Sequence, residues 1–199
     1  MHNLHEEQEI VQETAPESTW ERFIADALRW VRPGQIARRD ELSMGVLLLL
    51  LYRNPPLRAM AWFRLGCWFK QLGIPLLPGA IQRRLLRWYG FEIQVGADIG
   101  GGLYIPHPVG VVMAPRRAGR DCSVIAAVTI GMRNEWSFPT LGDRVFIGAG
   151  ARVLGGITVG DDAVIGANAV VISDVPAGAR AVGIPARITH ARAEQLAEA

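Results

Sequence analysis

The chain has 199 residues, of which 21 are lysine or arginine and 19 are aspartate or glutamate. That length allows one substantial hydrophobic core, and a formal net charge of +2 does not indicate a basic surface for binding nucleic acid. Cys67 and Cys122 lack the spacing of a metal or redox motif, so we interpret them as buried free thiols in a reducing cytosol. Residues 1–17 are polar and rich in glutamate, which predicts a disordered N-terminus rather than a signal peptide. We therefore expect a cytoplasmic protein.

Four segments with helical spacing predict an all-α cap over residues 18–90. Ser18 and Glu21 have the spacing of a capping box, and apolar side chains then recur at helical steps until Pro33. A proline pair favours the start of the third helix, and glycines favour the ends of the third and fourth. The helices expected after the first cover residues 41–52, 55–73 and 75–90.

The helix expected at residues 41–52 carries a strongly apolar run at residues 46–51. Charged residues on either side keep the run well short of the roughly twenty residues that a membrane-spanning helix needs. The run favours a buried core helix. Peripheral contact with a membrane surface is the alternative, because Trp62, Trp68 and Trp88 lie among arginines.

The second half of the chain has a six-residue apolar period. A fixed short period with one inward apolar residue per step is typical of a parallel β-helix, in which each hexad forms one flat side of a coil. A second small or apolar residue follows each periodic position by four residues. The two series are Leu141, Ile147, Val153, Val159, Ile165 and Val171, and Val145, Ala151, Ile157, Ala163, Ala169 and Val175.

The same period is interrupted twice upstream. A run at Ile93, Ile99 and Ile105 and a later run starting at Val112 are offset by one residue, and the offset falls on residues 106–108. The later run, predicted to point inward, is Val112, Ala118, Val124 and Ile130. Residues 132–139 lack the hexad pattern and predict a loop projecting from the coil, a common place for function. We expect a β-helix domain at 91–187 and a C-terminal tail at 188–199.

His107 is the only histidine of the repeat region, and it lies between two prolines that restrict its backbone. Glu92 is fifteen residues earlier, and a coil of about eighteen residues returns the chain to nearly the same place. A carboxylate that orients one ring nitrogen leaves the other free to remove a proton from a hydroxyl. The alternatives are a structural histidine and a solvated glutamate. One such histidine is too few for a zinc site, so no metal is expected.

Several motifs together resemble serine acetyltransferases and related exopolysaccharide acetyltransferases, over about residues 38–190. The motifs are the stretch from Gly90 to Val112, Val128-Thr-Ile-Gly131, the stretch from Ile147 to Gly155, and Gly183-Ile-Pro-Ala-Arg187. The resemblance implies a mainly β fold, a left-handed parallel β-helix preceded by the α cap. It also implies a homotrimer with acetyl-CoA bound in the groove between adjacent subunits.

The resemblance also implies roles for particular residues. His107 would be the general base, and Glu92 would assist it. Arg39-Asp40 resembles an acceptor-side Arg-Asp pair of the cap, so Asp40 would contact the acceptor and L-serine is not excluded. The expected cofactor-binding positions are the backbone of Gly131, Ala149 and Ala167, and the side chain of Arg187 at the phosphates of the cofactor.

The chain departs from the serine acetyltransferase pattern where the acceptor would bind. Pro106 stands where an aspartate usually precedes the base, and Ser137-Phe138 replaces an Arg-His pair. The missing groups would leave the charges of L-serine poorly paired. Trp136 and Phe138 suit a sugar ring, because aromatic faces bind amphipathic rings well.

The leading expectation is therefore an acetyl-CoA-dependent O-acetyltransferase whose small-molecule hydroxyl acceptor is a sugar of an exopolysaccharide or its precursor. The alternative acceptor is L-serine, which would place the protein in cysteine biosynthesis. A non-catalytic solenoid scaffold is a further alternative. So is acyl transfer from a carrier protein to a sugar nucleotide, for which Arg116, Arg117 and Arg120 would offer a basic docking surface.

Overall fold

The computed structural model describes residues 17–31 and 42–189. Within these ranges, four helices precede a series of short strands. The helices are α1 (Thr19–Leu28), α2 (Met44–Arg53), α3 (Pro55–Gln71) and α4 (Leu77–Tyr89). Most of the N-terminus and tail predicted from the sequence, and the candidate acceptor residue Asp40, lie outside the described residues.

The helix ends follow their local sequence signals. The capping box of α1 is confirmed, because the Glu21 N–H donates to Ser18 Oγ at 3.2 Å and the Ser18 N–H donates to the Glu21 carboxylate at 2.9 Å. Proline occupies the first turn of α3, and Gly90 ends α4 in the left-handed conformation with φ +57°. The first helix ends at Leu28, five residues before the proline expected to stop it.

Within residues 91–189, fourteen strands of two or three residues build three flat faces. They are β1 (Glu92–Ile93), β2 (Asp98–Ile99), β3 (Val112–Met113), β4 (Arg117–Ala118), β5 (Ser123–Val124), β6 (Thr129–Gly131), β7 (Thr140–Leu141), β8 (Phe146–Ile147), β9 (Arg152–Leu154), β10 (Thr158–Val159), β11 (Val164–Ile165), β12 (Val170–Val171), β13 (Arg180–Val182) and β14 (Arg187–Thr189).

Successive coils pair strand on strand. Face one holds β1, β3, β6, β9 and β12, face two holds β2, β4, β7 and β10, and face three holds β5, β8, β11, β13 and β14. All pairs are parallel except β13 with β14. The predicted fold class, a parallel β-helix with an α cap, is confirmed.

The inward side chains of the regular coils are those that the six-residue period predicts. Every member of the two series from residue 141 to 175 is buried. Each fully buried Val, Leu or Ile contributes about 1.5–3 kcal/mol relative to leaving it exposed.

The prediction that Val112 points inward is wrong. Val112 is 36% exposed, and Met113 is the buried residue, in register with Ile93 and Ile130. Relative to a hexad, the corner between Ile105 and Met113 has two extra residues, and the next corner, before Ala118, has one fewer. The one-residue offset seen in the sequence is therefore the sum of an insertion and a deletion on either side of β3.

The prediction of a buried core helix at residues 46–51 is also wrong. Within α2 only Leu47 is buried, while Met44, Leu48, Leu49 and Tyr52 are exposed. The helix packs against α3. No helix among the described residues is long and apolar enough to cross a membrane.

A buried ion pair fastens the cap to the first coil. Arg64 of α3 donates to both Asp26 carboxylate oxygens, at 2.8 and 3.0 Å, and to the carbonyls of Ile99 and Gly100, at 2.7 and 2.6 Å. Asp26 also accepts the Leu103 N–H at 2.8 Å. Burial raises the pKa of the Asp26 carboxyl, and its bonds to Arg64 and Leu103 act in the opposite direction. This cluster, the latch, fixes the cap relative to the coils.

Candidate active site

Two edges of face one carry the candidate residues. At the first edge the chain passes from face three to face one, and at the second edge it passes from face one to face two. His107 lies at the first edge, between Tyr104, which bridges to face three, and β3. The loop at residues 132–139 lies at the second edge, between β6 and β7.

The two-residue insertion forms the His107 corner. The Gly110 N–H donates to the Gly90 carbonyl at 2.8 Å, and the Val111 N–H donates to the Pro108 carbonyl at 3.0 Å. Gly110 has φ +74°, a conformation that suits glycine at this turn. Pro108 is buried, whereas His107 is exposed. The corner therefore has a fixed backbone and presents the imidazole at the surface.

Glu92 is the first residue of β1, and its side chain is exposed on face one. Its N–H donates to the Val111 carbonyl at 2.9 Å, and it is in register with Val112. Within the described parts of the chain, neither the Glu92 carboxylate nor the His107 imidazole makes a hydrogen bond or an ion pair with another residue. Their pairing remains a prediction.

A groove of about 980 Å³ follows the second edge. Glu92, Trp136 and Phe138 line it together, so the structure brings one of the two candidate catalytic residues to the candidate acceptor residues. The rings of Trp136 and Phe138 meet edge to face, with centroids 5.4 Å apart, and Trp136 is 83% exposed. His107 is not among the lining residues, because it lies at the opposite edge of face one.

Three of the four candidate cofactor residues share the first edge with His107. The Asn168 N–H donates to the Ala149 carbonyl at 2.8 Å, which stacks the corner of Ala167 on that of Ala149. Arg187 is exposed and pairs with Val182 at the C-terminal end of this edge. Gly131 lies at the second edge instead, and nothing lies within 4 Å of a Cβ built on it.

The groove also contains polar residues that the sequence did not single out for the site. They are Gln82, Gln94, Asp98, Thr140, Thr158 and Arg116, the last considered only as part of a basic docking surface. The loop makes the coil that follows Arg117 twenty-three residues long, because Arg117 is in register with Thr140. The sequence does contain a signal for Arg116. If the loop is taken as five residues added to an eighteen-residue coil, Arg116 is expected beside Pro139, twenty-three residues further on.

Comparison with known proteins agrees with this architecture. A family model described as bacterial transferase hexapeptide (six repeats) matches residues 138–173. A serine acetyltransferase of Helicobacter pylori is 42% identical over 144 residues, covering 70% of this chain and 83% of that protein. A solved serine acetyltransferase in complex with CoA superposes with a TM-score of 0.72 at 29% identity, covering 86% of this chain and 70% of that chain.

These findings place the fold and repeats in the class of hexapeptide-repeat transferases. A serine acetyltransferase of Synechocystis sp. is 42% identical over 153 residues, which cover 75% of this chain. The chain belongs to the serine acetyltransferase family. It spans 61% of the length of the Synechocystis relative.

Proposed function

We propose that the protein is an acetyl-CoA-dependent O-acetyltransferase whose acceptor is L-serine. The observation that carries the proposal is the 42% identity to a serine acetyltransferase of which this chain spans 83%. The structure adds a geometric argument. An exposed histidine on a fixed corner, a nearby face with an exposed carboxylate and an open groove are the parts that hydroxyl acetylation needs.

In the proposed reaction, His107 takes the proton of the serine hydroxyl as the hydroxyl oxygen attacks the thioester carbonyl. The carbon–sulfur bond then breaks, and His107 returns the proton to the departing sulfur, which gives O-acetylserine and the CoA thiol. Glu92 would hold the second ring nitrogen and stabilise the imidazolium. General-base catalysis of this kind is worth typically 10²–10⁴ in rate.

The first edge fits the elongated acetyl-CoA molecule. Ala149 and Ala167 have small side chains at stacked corners, so a ligand on this edge would meet little side-chain bulk. The Arg187 guanidinium, at the end of the same edge, would pair with phosphate groups. The solved relative in complex with CoA supports binding of this cofactor by the fold.

We propose that the active site forms between subunits of a homotrimer. In one chain, His107 and the groove lie at opposite edges of face one. A threefold arrangement would place the first edge of one subunit against the second edge of the next. His107 and acetyl-CoA would then meet the acceptor groove of the neighbour.

The sugar acceptor that the sequence favoured is less well supported, since the relatives described above are serine acetyltransferases. One observation keeps it as a second candidate. The groove presents Trp136 and Phe138 where a sugar ring could stack, without the Arg-His pair typical of the family.

The test is the rate of CoA release from acetyl-CoA with L-serine, compared with a panel of sugars and nucleotide sugars. We expect turnover with L-serine and a roughly 10²- to 10⁴-fold lower kcat in His107→Ala. Val109→Ala changes an exposed neighbour on the same corner and is expected to keep activity within a few-fold. Turnover confined to sugars would replace the serine acceptor. A folded His107→Ala variant with full activity would refute the mechanism, and CoA binding without turnover would favour the scaffold.

A further inference from the structure

The loop at residues 132–139 lacks the cation that the family resemblance leads one to expect for the acceptor. The loop has Ser137-Phe138 in place of an Arg-His pair. An acceptor amino acid brings a carboxylate, and desolvating that charge without a partner is costly. If L-serine is the acceptor, as proposed above, another residue has to bind its carboxylate.

Among the described residues that line the groove, Arg116 is the only basic one. Its side chain is exposed and makes no hydrogen bond or ion pair with any residue in 17–31 or 42–189. The two nearby arginines, in contrast, already form ion pairs. Arg117 lies 3.6 Å from an Asp98 carboxylate oxygen, and Arg120 lies 3.0 Å from one of Glu17.

The backbone of Arg116 is fixed directly beneath the loop. Its N–H donates to the Pro139 carbonyl at 2.8 Å, and the next residue, Arg117, is in register with Thr140. Ser137 and Phe138, which precede that proline, line the same groove. A cation at position 116 therefore lies next to the place where the loop would otherwise supply one.

We propose that Arg116 binds the α-carboxylate of the acceptor and determines specificity for an amino acid. A guanidinium can donate two parallel hydrogen bonds to a carboxylate, which fixes the orientation of the acceptor as well as its affinity. In this chain the anion-binding group has moved from the loop to the coil below it. The inference rests on the proposed serine acceptor.

The test compares L-serine with L-serinamide, which keeps the hydroxyl and the amino group but lacks the carboxylate. We expect Arg116→Gln to lower kcat/KM for L-serine roughly 10- to 100-fold, the range for losing hydrogen bonds to a charged group. The rate with L-serinamide and the KM for acetyl-CoA should change little. Arg116→Lys keeps the charge but not the paired donors, so its kcat/KM for L-serine should lie between those of the wild type and Arg116→Gln.

Arg180→Gln, at an exposed arginine on face three, is the matched control for loss of one positive charge. An unchanged L-serine to L-serinamide preference in folded Arg116→Gln would overturn the assignment and leave the serine acceptor intact. A wild-type enzyme that does not turn over L-serine would overturn both. Circular dichroism of each variant separates a folding defect from a binding defect, and Arg116→Lys tests the assignment if Arg116→Gln does not fold.

Discussion

Replacing Asp26 with alanine should destabilise the protein strongly, because it would leave Arg64 buried without its carboxylate. The Arg64 side chain is 4% exposed and that of Asp26 is fully buried. Removing one partner of a buried ion pair costs about 3–5 kcal/mol. The Leu103 N–H would lose its acceptor as well. That loss is a large part of the roughly 5–15 kcal/mol of net stability that a typical domain has.

The assay is urea-induced unfolding at a fixed protein concentration. With a slope of about 2 kcal/mol per molar urea, the expected loss lowers the midpoint by roughly 1.5–2.5 M. Arg120→Gln is the control, because it breaks the more exposed Arg120–Glu17 pair, and such pairs are worth at most about 1 kcal/mol. Equal midpoints for Asp26→Ala and Arg120→Gln would refute the reasoning. The double variant Asp26→Leu/Arg64→Met should be less destabilised than Asp26→Ala, because it leaves no unpaired charge.

Two further predictions concern the thiols and the glycines of the coils. Burial raises the pKa of Cys122 to about 11 and also raises that of Cys67, so few thiolates exist at pH 8. A disulfide reagent should therefore detect almost no thiol in the native protein and both after denaturation, and rapid native labelling would contradict their burial. A Cβ on Gly119 would lie 2.5 Å from backbone atoms of the adjacent coil, whereas one on Gly131 would meet nothing within 4 Å. Gly119→Ala should therefore lower the free energy of unfolding by about 1–3 kcal/mol, whereas Gly131→Ala should hardly change it. Equal melting temperatures of the two variants would be evidence against this difference. Because Gly131 is a candidate cofactor-binding position, Gly131→Ala should instead raise the KM for acetyl-CoA.

The regular coils could be predicted from the sequence because their period admits one register. Upstream, the residues at 111, 112 and 113 are all apolar, so the pattern does not reveal which of them points inward. An insertion of two and a deletion of one give the same net offset as a single insertion. The left-handed sense of the coil came only from the resemblance, since general rules favour the opposite hand for parallel crossovers.

Other features had no local signal. The run at 46–51 is apolar on every side, so its sequence does not mark an exposed face. Asp26 and Arg64 are thirty-eight residues apart, and charged residues are ordinarily exposed. The sequence singled out His107, Glu92, Trp136 and Phe138 as candidates. It did not assign them to two edges, because that assignment depends on which coils carry extra residues.

The coils differ in whether they could be exchanged for one another. Along face one, the strand partners of Glu92, Val112, Thr129 and Arg152 lie 20, 17, 23 and 18 residues further on. The candidate base and the groove belong to the irregular coils, which are not interchangeable. Each regular coil after the loop adds about 4.8 Å to the length of the first edge. Their number sets how far Arg187 stands from His107, and so the length of molecule that the edge can accommodate.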